Sequence, residues 1–210
     1  MKSVIAAIGL AAALFVSPVG AETVRLNEDW RAFLDSPTQG HFDTVYAEVK
    51  ACTDHDACIH PSRPTVQDAD RLTVLMGQNN TLAVRLAIAS YALLSENSTA
   101  YDDVLPGYGP FIRAYPRRFL KFTRDEGMPD DAVAAAAAAT LDQMNDDYTK
   151  QLKELTARRA ALRTVKDKDL IALRDLCLAR VEHMISALTP PQTSAPRTPA
   201  RKRPVAKKTA

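Results

Sequence analysis

The sequence predicts an all-α fold: antiparallel helical hairpins stacked as a short array, or an irregular helical bundle. Three observations predict it. Apolar residues recur at three- and four-residue spacing through almost the whole body. No apolar–polar alternation of the kind a strand needs persists anywhere. Pro37, Gly40, the Asn79-Asn80 pair, Gly127 and Pro129 punctuate the periodic segments, so successive helices are joined by short connections and return against one another.

The elements follow in order. Leu26, Trp30, Phe33 and Leu34 mark a short first helix. Phe42, Val45, Tyr46, Val49 and Cys52 lie on one stripe of a second, which ends at Cys52. Thr65 to Met76 form a third, with Asp68 and Asp70 near its positive end. The segment TLAVRLAIASYALL is apolar nearly all round, interrupted by Arg85, and should be central, buried on several sides. The stretch YDDVLPGYGPFIRAYPRRFLKF is cut by Pro106, Gly107, Gly109, Pro110 and Pro116 into short helices and turns, with PGYGP read as a structural turn. Its Tyr101, Tyr108, Phe111, Tyr115, Phe119 and Phe122 supply apolar bulk.

From Asp130 the alanine run starts a further helix, alanine being the best helix former. Val133, Ala137, Leu141, Met144, Tyr148, Leu152, Leu155 and Leu162 can trace a single stripe, but Asn145-Asp146-Asp147 prefer caps. The reading favours two helices there. The last helix follows VKDKD, with Asp167 or a neighbour as its cap and Leu170, Leu173, Cys177, Val181, Met184 and Leu188 as its core face.

Three domains of composition are distinguished. Residues 1–21 have a charged Lys2, an apolar run from Ile5 to Val16 and small residues at Val19-Gly20-Ala21. This is the pattern of a secretory signal peptide cut after Ala21, and the run is too short to span a bilayer. Residues 22–188 are the helical domain. Residues 189–210 hold five prolines and the cations Arg197, Arg201, Lys202, Arg203, Lys207 and Lys208, with no acid. Such a composition builds no core and predicts a disordered basic tail. The chain carries a formal charge of +2; without Lys2 and the tail, the body is left at −5. An acidic body thus carries a basic arm suited to an anionic envelope polymer such as lipopolysaccharide, a membrane surface or nucleic acid. The expected localisation is periplasmic or secreted, with no transmembrane segment after cleavage.

Compartment then decides the reading of CTDHDACIH. Close cysteine pairs oxidise in exported proteins, so Cys52 and Cys58 are expected to form a disulfide. A loop this short is worth roughly 2–2.5 kcal/mol in the chain-entropy model. The alternatives are a metal set of Cys52, His55, Cys58 and His60, cramped for a zinc site, and free thiols. Cys177 is left over, as a buried free thiol or a partner in another pairing.

The stretch LMGQNNTLAVRLAIASYAL resembles the core of a HEAT repeat: Asn79-Asn80 match the turn, and Val84-Arg85, Ala87 and Ala89 match the second helix. One repeat-sized segment, near residues 66–95, carries the likeness. The resemblance implies a stacked-hairpin scaffold that binds protein or peptide partners, and no chemistry.

No Gly-x-Ser-x-Gly elbow, His-Glu-x-x-His helix or phosphate loop occurs. The adjacent acids Asp102-Asp103, Asp130-Asp131 and Asp146-Asp147 point apart on a helix and suit helix starts. No catalytic residue, cofactor or metal is therefore expected. The stretch RAYPRRFLKFTR interleaves cations with aromatics. Tyr108, Arg113, Arg117, Arg118, Lys121 and Arg124 are the candidate partner-binding residues. The alternative reading is an amphipathic helix with solvated cations. The expected function is an exported, non-enzymatic scaffold or adaptor that binds a protein partner along a groove near residues 101–124. The alternative is an immunity or inhibitor protein capping a periplasmic toxin or hydrolase. An envelope enzyme is a third class, resting only on unassigned acids and histidines.

Overall fold

The computed structural model describes residues 25–52, 65–95, 102–140 and 147–189. The leader, the tail beyond Thr189, and Cys58 with His55 and His60 lie outside the described residues. The fold is all-α. The helices are α1 (Arg25–Asp35), α2 (Gln39–Ala51), α3 (Val66–Gly77), α4 (Thr81–Ala89), α5 (Tyr91–Ser95), α6 (Tyr108–Ala114), α7 (Pro116–Glu126), α8 (Asp130–Ala138), α9 (Tyr148–Leu162) and α10 (Ile171–Leu188). A 3-10 turn, Leu105–Gly107, runs into α6. Among the described residues no strand occurs and no helix is long and apolar enough to cross a membrane.

Local chemistry sets the helix ends. Thr65 and Asp68 form a reciprocal capping box at the start of α3, a device worth about 0.5–2 kcal/mol. Between α3 and α4, Asn79 adopts φ 61° and Asn80 caps α4 by accepting from the N–H groups of Leu82 and Ala83. Asparagine tolerates both roles, which is why this pair turns the chain. Gly127, at φ 73°, ends α7. Asp147 caps α9, accepting from Lys150 N–H at 3.0 Å.

Packing joins α1 to α2, α3 to α4 and α9 to α10, while α8 lies against α10. The core is continuous from Trp30, Phe33 and Phe42 through Leu72, Met76 and Leu86 to Phe111, Phe119, Leu155 and Val181. The TLAVRLAIA segment is buried as expected, with Ala83, Val84, Leu86, Ala87 and Ile88 inside. Centrality is nonetheless shared with α6. That seven-residue helix touches α3, α7, α8 and α9 and so links the first half of the chain to the second.

Several expectations are corrected. PGYGP is not an isolated turn but a continuous 3-10-to-α segment. Its glycines permit close approach: a Cβ on Gly107 would meet Thr73 Cγ2 at 3.1 Å. The alanine run breaks at Ala139, which is extended at ψ 137°, before the Asn145-Asp146-Asp147 sequence. The buried side of α9 runs Gln151, Leu155, Arg158, Leu162, whereas Tyr148 is 57% exposed. Asp167 does not cap α10: the helix begins at Ile171 with Leu170 at its N-cap, and the Asp167 carboxylate pairs with Arg117 instead.

Candidate binding cleft

Helix α7 carries most of the cations expected to meet a partner, and α6 carries the remaining one, Arg113. Tyr108 is buried, 1% exposed, packed on Phe119 at 5.6 Å between ring centroids. It belongs to the core and not to a docking face. Arg117 reaches Asp167 with Nη2 at 2.6 Å, and Arg124 pairs with Asp125 and Asp169. Both acids of VKDKD are thus engaged by α7, so two of its cations clamp the α9–α10 connection. Arg118 stacks over Tyr115 at 5.4 Å, and Lys121 is exposed. The amphipathic alternative describes α7 better than a basic–aromatic docking face: Phe119 and Leu120 point in, and much of the outward charge is compensated.

A second polar cluster ties α2, α4 and α7 together. The Glu126 side chain is 3% exposed and accepts from Tyr46 Oη at 2.9 Å, Arg85 Nε at 3.0 Å and Lys50 Nζ at 3.4 Å. Arg85 lies over the Tyr46 ring at 4.8 Å and the Phe42 ring at 5.6 Å, a cation–π arrangement. Burial, then the Glu126 carboxylate, pushes the Tyr46 hydroxyl above its ordinary value, so it stays a donor. Each member has partners inside the fold, which makes this cluster a brace.

A concavity lies between the segment 106–113 and α9. It encloses about 340 Å³, the lower end of the small-ligand range. Pro106, Pro110 and Arg113 form one wall; Lys150, Lys153, Glu154, Ala157 and Arg158 form the other. The second wall follows from helical spacing, since these positions share one face of α9. Four cations and one carboxylate give the lining a formal charge of +3.

Arg158 is the fixed point of the cleft. It is 1% exposed. Its Nε donates to Glu154 Oε1 at 2.9 Å, and its Nη1 donates to the carbonyls of Ala137, at 3.1 Å, and Ala139. Those carbonyls belong to the end of α8, where the helical ladder runs out of donors. A guanidinium placed there satisfies the carbonyls and complements the negative end of the helix. Glu154 is held from the other side by Arg113 Nη1, which reaches Oε2 at 3.2 Å. Desolvation pushes Arg158 below its ordinary value, but arginine starts so high that the charge persists.

The sequence reading expected a partner's groove near residues 101–124; of that span, Pro106, Pro110 and Arg113 line the concavity. It missed the α9 wall. Lys150, Lys153, Glu154, Ala157 and Arg158 are spaced on one helical face, but nothing in TKQLKELTARRAAL separates buried Arg158 from exposed neighbours. Among the described residues no group of three or more His, Cys, Asp or Glu side chains converges to hold a metal. His41 and His183 are both exposed. Cys52 ends α2, and Cys177 is buried and free. Compared with known protein families, curated proteins and solved structures, the chain has no significant match.

Proposed function

We propose that this chain is an exported, non-enzymatic helical scaffold that binds a protein partner in the cleft between the 106–113 segment and α9. The observation that carries the reading is the cationic cleft itself: its lining is formally +3, and still +2 once the Asp147 that pairs with Lys150 is counted, on a helical body whose net charge is −5. A local inversion of sign focuses attraction on one place and repels the same ligand elsewhere. Export is supported by the leader-like residues 1–21. A Cys52–Cys58 bridge fits that compartment, and free, buried Cys177 leaves Cys58 as the natural partner of Cys52. The α3–α4 hairpin, turned by Asn79-Asn80, is compatible with the HEAT-like reading. The basic tail would add salt-sensitive attachment to an anionic envelope polymer.

The test is site-specific photocrosslinking in cells that also carry out export. A photoreactive residue in place of exposed Ala114, one helical turn beyond Pro110 on α6, leaves the cleft cations intact and should trap one defined protein in the periplasmic fraction. The same residue at position 74, where Val74 is 61% exposed on α3, should trap none. Equal labelling from both positions, or a product confined to the cytoplasm, would reject the reading.

A further inference from the structure

The cleft's chemistry also restricts what part of a partner it can take. We propose that it is a carboxylate pocket, built to receive an acidic side chain, with an apolar neighbour, from an extended segment of the partner. This rests on the reading above and specifies its ligand.

Three features argue for that occupant. The charge is positive, yet the one acid in the lining is already spent. Glu154 has Oε1 on Arg158 and Oε2 on Arg113, so it is held between two guanidinium groups and repels an incoming anion weakly. Arg113 is half-exposed and only ion-paired with Glu154, and a guanidinium carries five N–H donors in all. Lys153 is exposed and has no ion pair among the described residues. These two cations are on opposite walls and can close on one carboxylate from both sides, in charge-assisted hydrogen bonds.

The rest of the lining is apolar and stiff. Pro106 and Pro110 present rings without N–H donors on one wall, and Ala157 adds a methyl on the other. These surfaces suit an aliphatic side chain next to the acid. A strongly hydrated inorganic anion would gain nothing from them. The volume of about 340 Å³ admits an acidic residue with one neighbour but no folded domain, so the ligand enters as an extended segment. Arg158 keeps the far wall in place through the α8 carbonyls, so the pocket exists before the ligand arrives and little ordering cost falls on binding.

The experiment is a nuclear magnetic resonance titration of the full mature chain with N-acetyl-leucyl-glutamate amide. N-acetyl-leucyl-glutamine amide is the uncharged control and inorganic phosphate the apolar-free anion. Saturable shifts at the Lys153 and Ala157 amides are expected with the glutamate peptide. The glutamine peptide should bind about tenfold more weakly or not at all, as loss of one charge-assisted contact implies. The exposed pair Lys150→Gln/Lys153→Gln should weaken the glutamate peptide by a similar factor while leaving the circular dichroism spectrum unchanged. Equal affinity for glutamate and glutamine peptides overturns the proposal, as does phosphate binding at least as tightly. Crosslinking from position 114, which keeps every cleft cation, is read separately. If it traps a partner while the peptides fail, the carboxylate assignment falls and the scaffold reading stands; if both fail, both fall.

Discussion

Gly109 and Arg158 occupy adjoining space: a Cβ on Gly109 would lie 2.6 Å from the Arg158 guanidinium carbon. The two residues are far apart in sequence and on different helices, α6 and α9. Their contact brings the proline-lined wall of the cleft against the cationic one. A long side chain could usually move aside, but Arg158 is buried and tied to Glu154 and to the Ala137 and Ala139 carbonyls. Gly109→Ala should therefore destabilise by about 1–3 kcal/mol, the usual cost of overpacking. Gly77→Ala is the contrast. That glycine has nothing within 4 Å of its would-be Cβ, and because it is the last residue of α3 the change should stabilise by at most about 0.5 kcal/mol through helix propensity. Urea denaturation reads both. A stabilised Gly109→Ala would show that Arg158 yields freely.

Arg158 itself can be tested by its conservative and its apolar replacement. Arg158→Met removes the donors from two carbonyls at the end of α8, at about 1–3 kcal/mol for each left unsatisfied. Arg158→Lys keeps the charge but loses the planar fork that serves Glu154 and the carbonyls together, so it should recover only part of the loss. The decisive quantity is coupling. In the Arg158→Met background Gly109→Ala should cost less than in the parent, since the clashing group is gone. Additive effects would contradict the contact.

The helices and most of their core faces were legible because they depend on spacing. The Phe42–Val49 stripe, the Thr65–Asp68 start of α3 and the Leu173–Cys177–Val181 face all follow from periodicity and capping chemistry. What was not legible depends on tertiary neighbours. Asp167 looks like a helix cap until α7 is known to place Arg117 2.6 Å away. Tyr108 looks like an exposed aromatic among cations until Phe119 covers it. Arg158 and Arg159 are indistinguishable in RRAAL, and only the early end of α8 gives Arg158 something to satisfy. The basic segment stands out in the sequence because its cations all fall between Arg113 and Arg124, while the cleft's charges come from two segments some forty residues apart.

Glu126 should matter more than a surface acid. One buried carboxylate serves Tyr46, Arg85 and Lys50, donors from two other helices. Glu126→Gln keeps the shape but replaces one acceptor oxygen with a donor that faces other donors. A loss of about 1–3 kcal/mol is expected, against the few tenths typical of exposed pairs. Thermal unfolding of the variant at neutral pH checks it; an unchanged midpoint would mean that solvent already screens the cluster.

Cys177 should be chemically silent in the folded chain. Burial, with Asp130 adding to it, pushes its thiol up to about 12, and the thiolate is the reactive form. Iodoacetamide at pH 8 should leave the native protein unlabelled and label one cysteine per chain after denaturation without reductant. The linkage has a definite sign. A folded value above the unfolded one means stability is fully present below the unfolded value, near 8.5, and is lost as pH rises through the folded one. Labelling of three cysteines in the denatured, unreduced chain would remove the proposed Cys52–Cys58 bridge.

Asp103 and Asp147 should respond to pH in opposite directions. Burial, then Asp70 and Asp102, raises the Asp103 carboxyl above its ordinary value. The native state therefore binds its proton more readily than the unfolded chain. The charge is unfavourable at pH 7, and the penalty disappears as pH falls below the unfolded value. Asp103→Asn should raise the melting temperature at pH 7 and leave it unchanged near pH 3, since the bond from Thr73 Oγ1 goes to the Asp103 backbone carbonyl and survives. Asp147 is held below its ordinary value by the backbone N–H of Lys150, then by the Lys150 side chain. Its contribution is present above the unfolded value and is lost as pH falls through the folded one. Asp147→Ala should lower the melting temperature at pH 7, with the difference narrowing in acid. If both variants shift stability the same way at pH 7, the charge environment of one of the two carboxylates is not the one described.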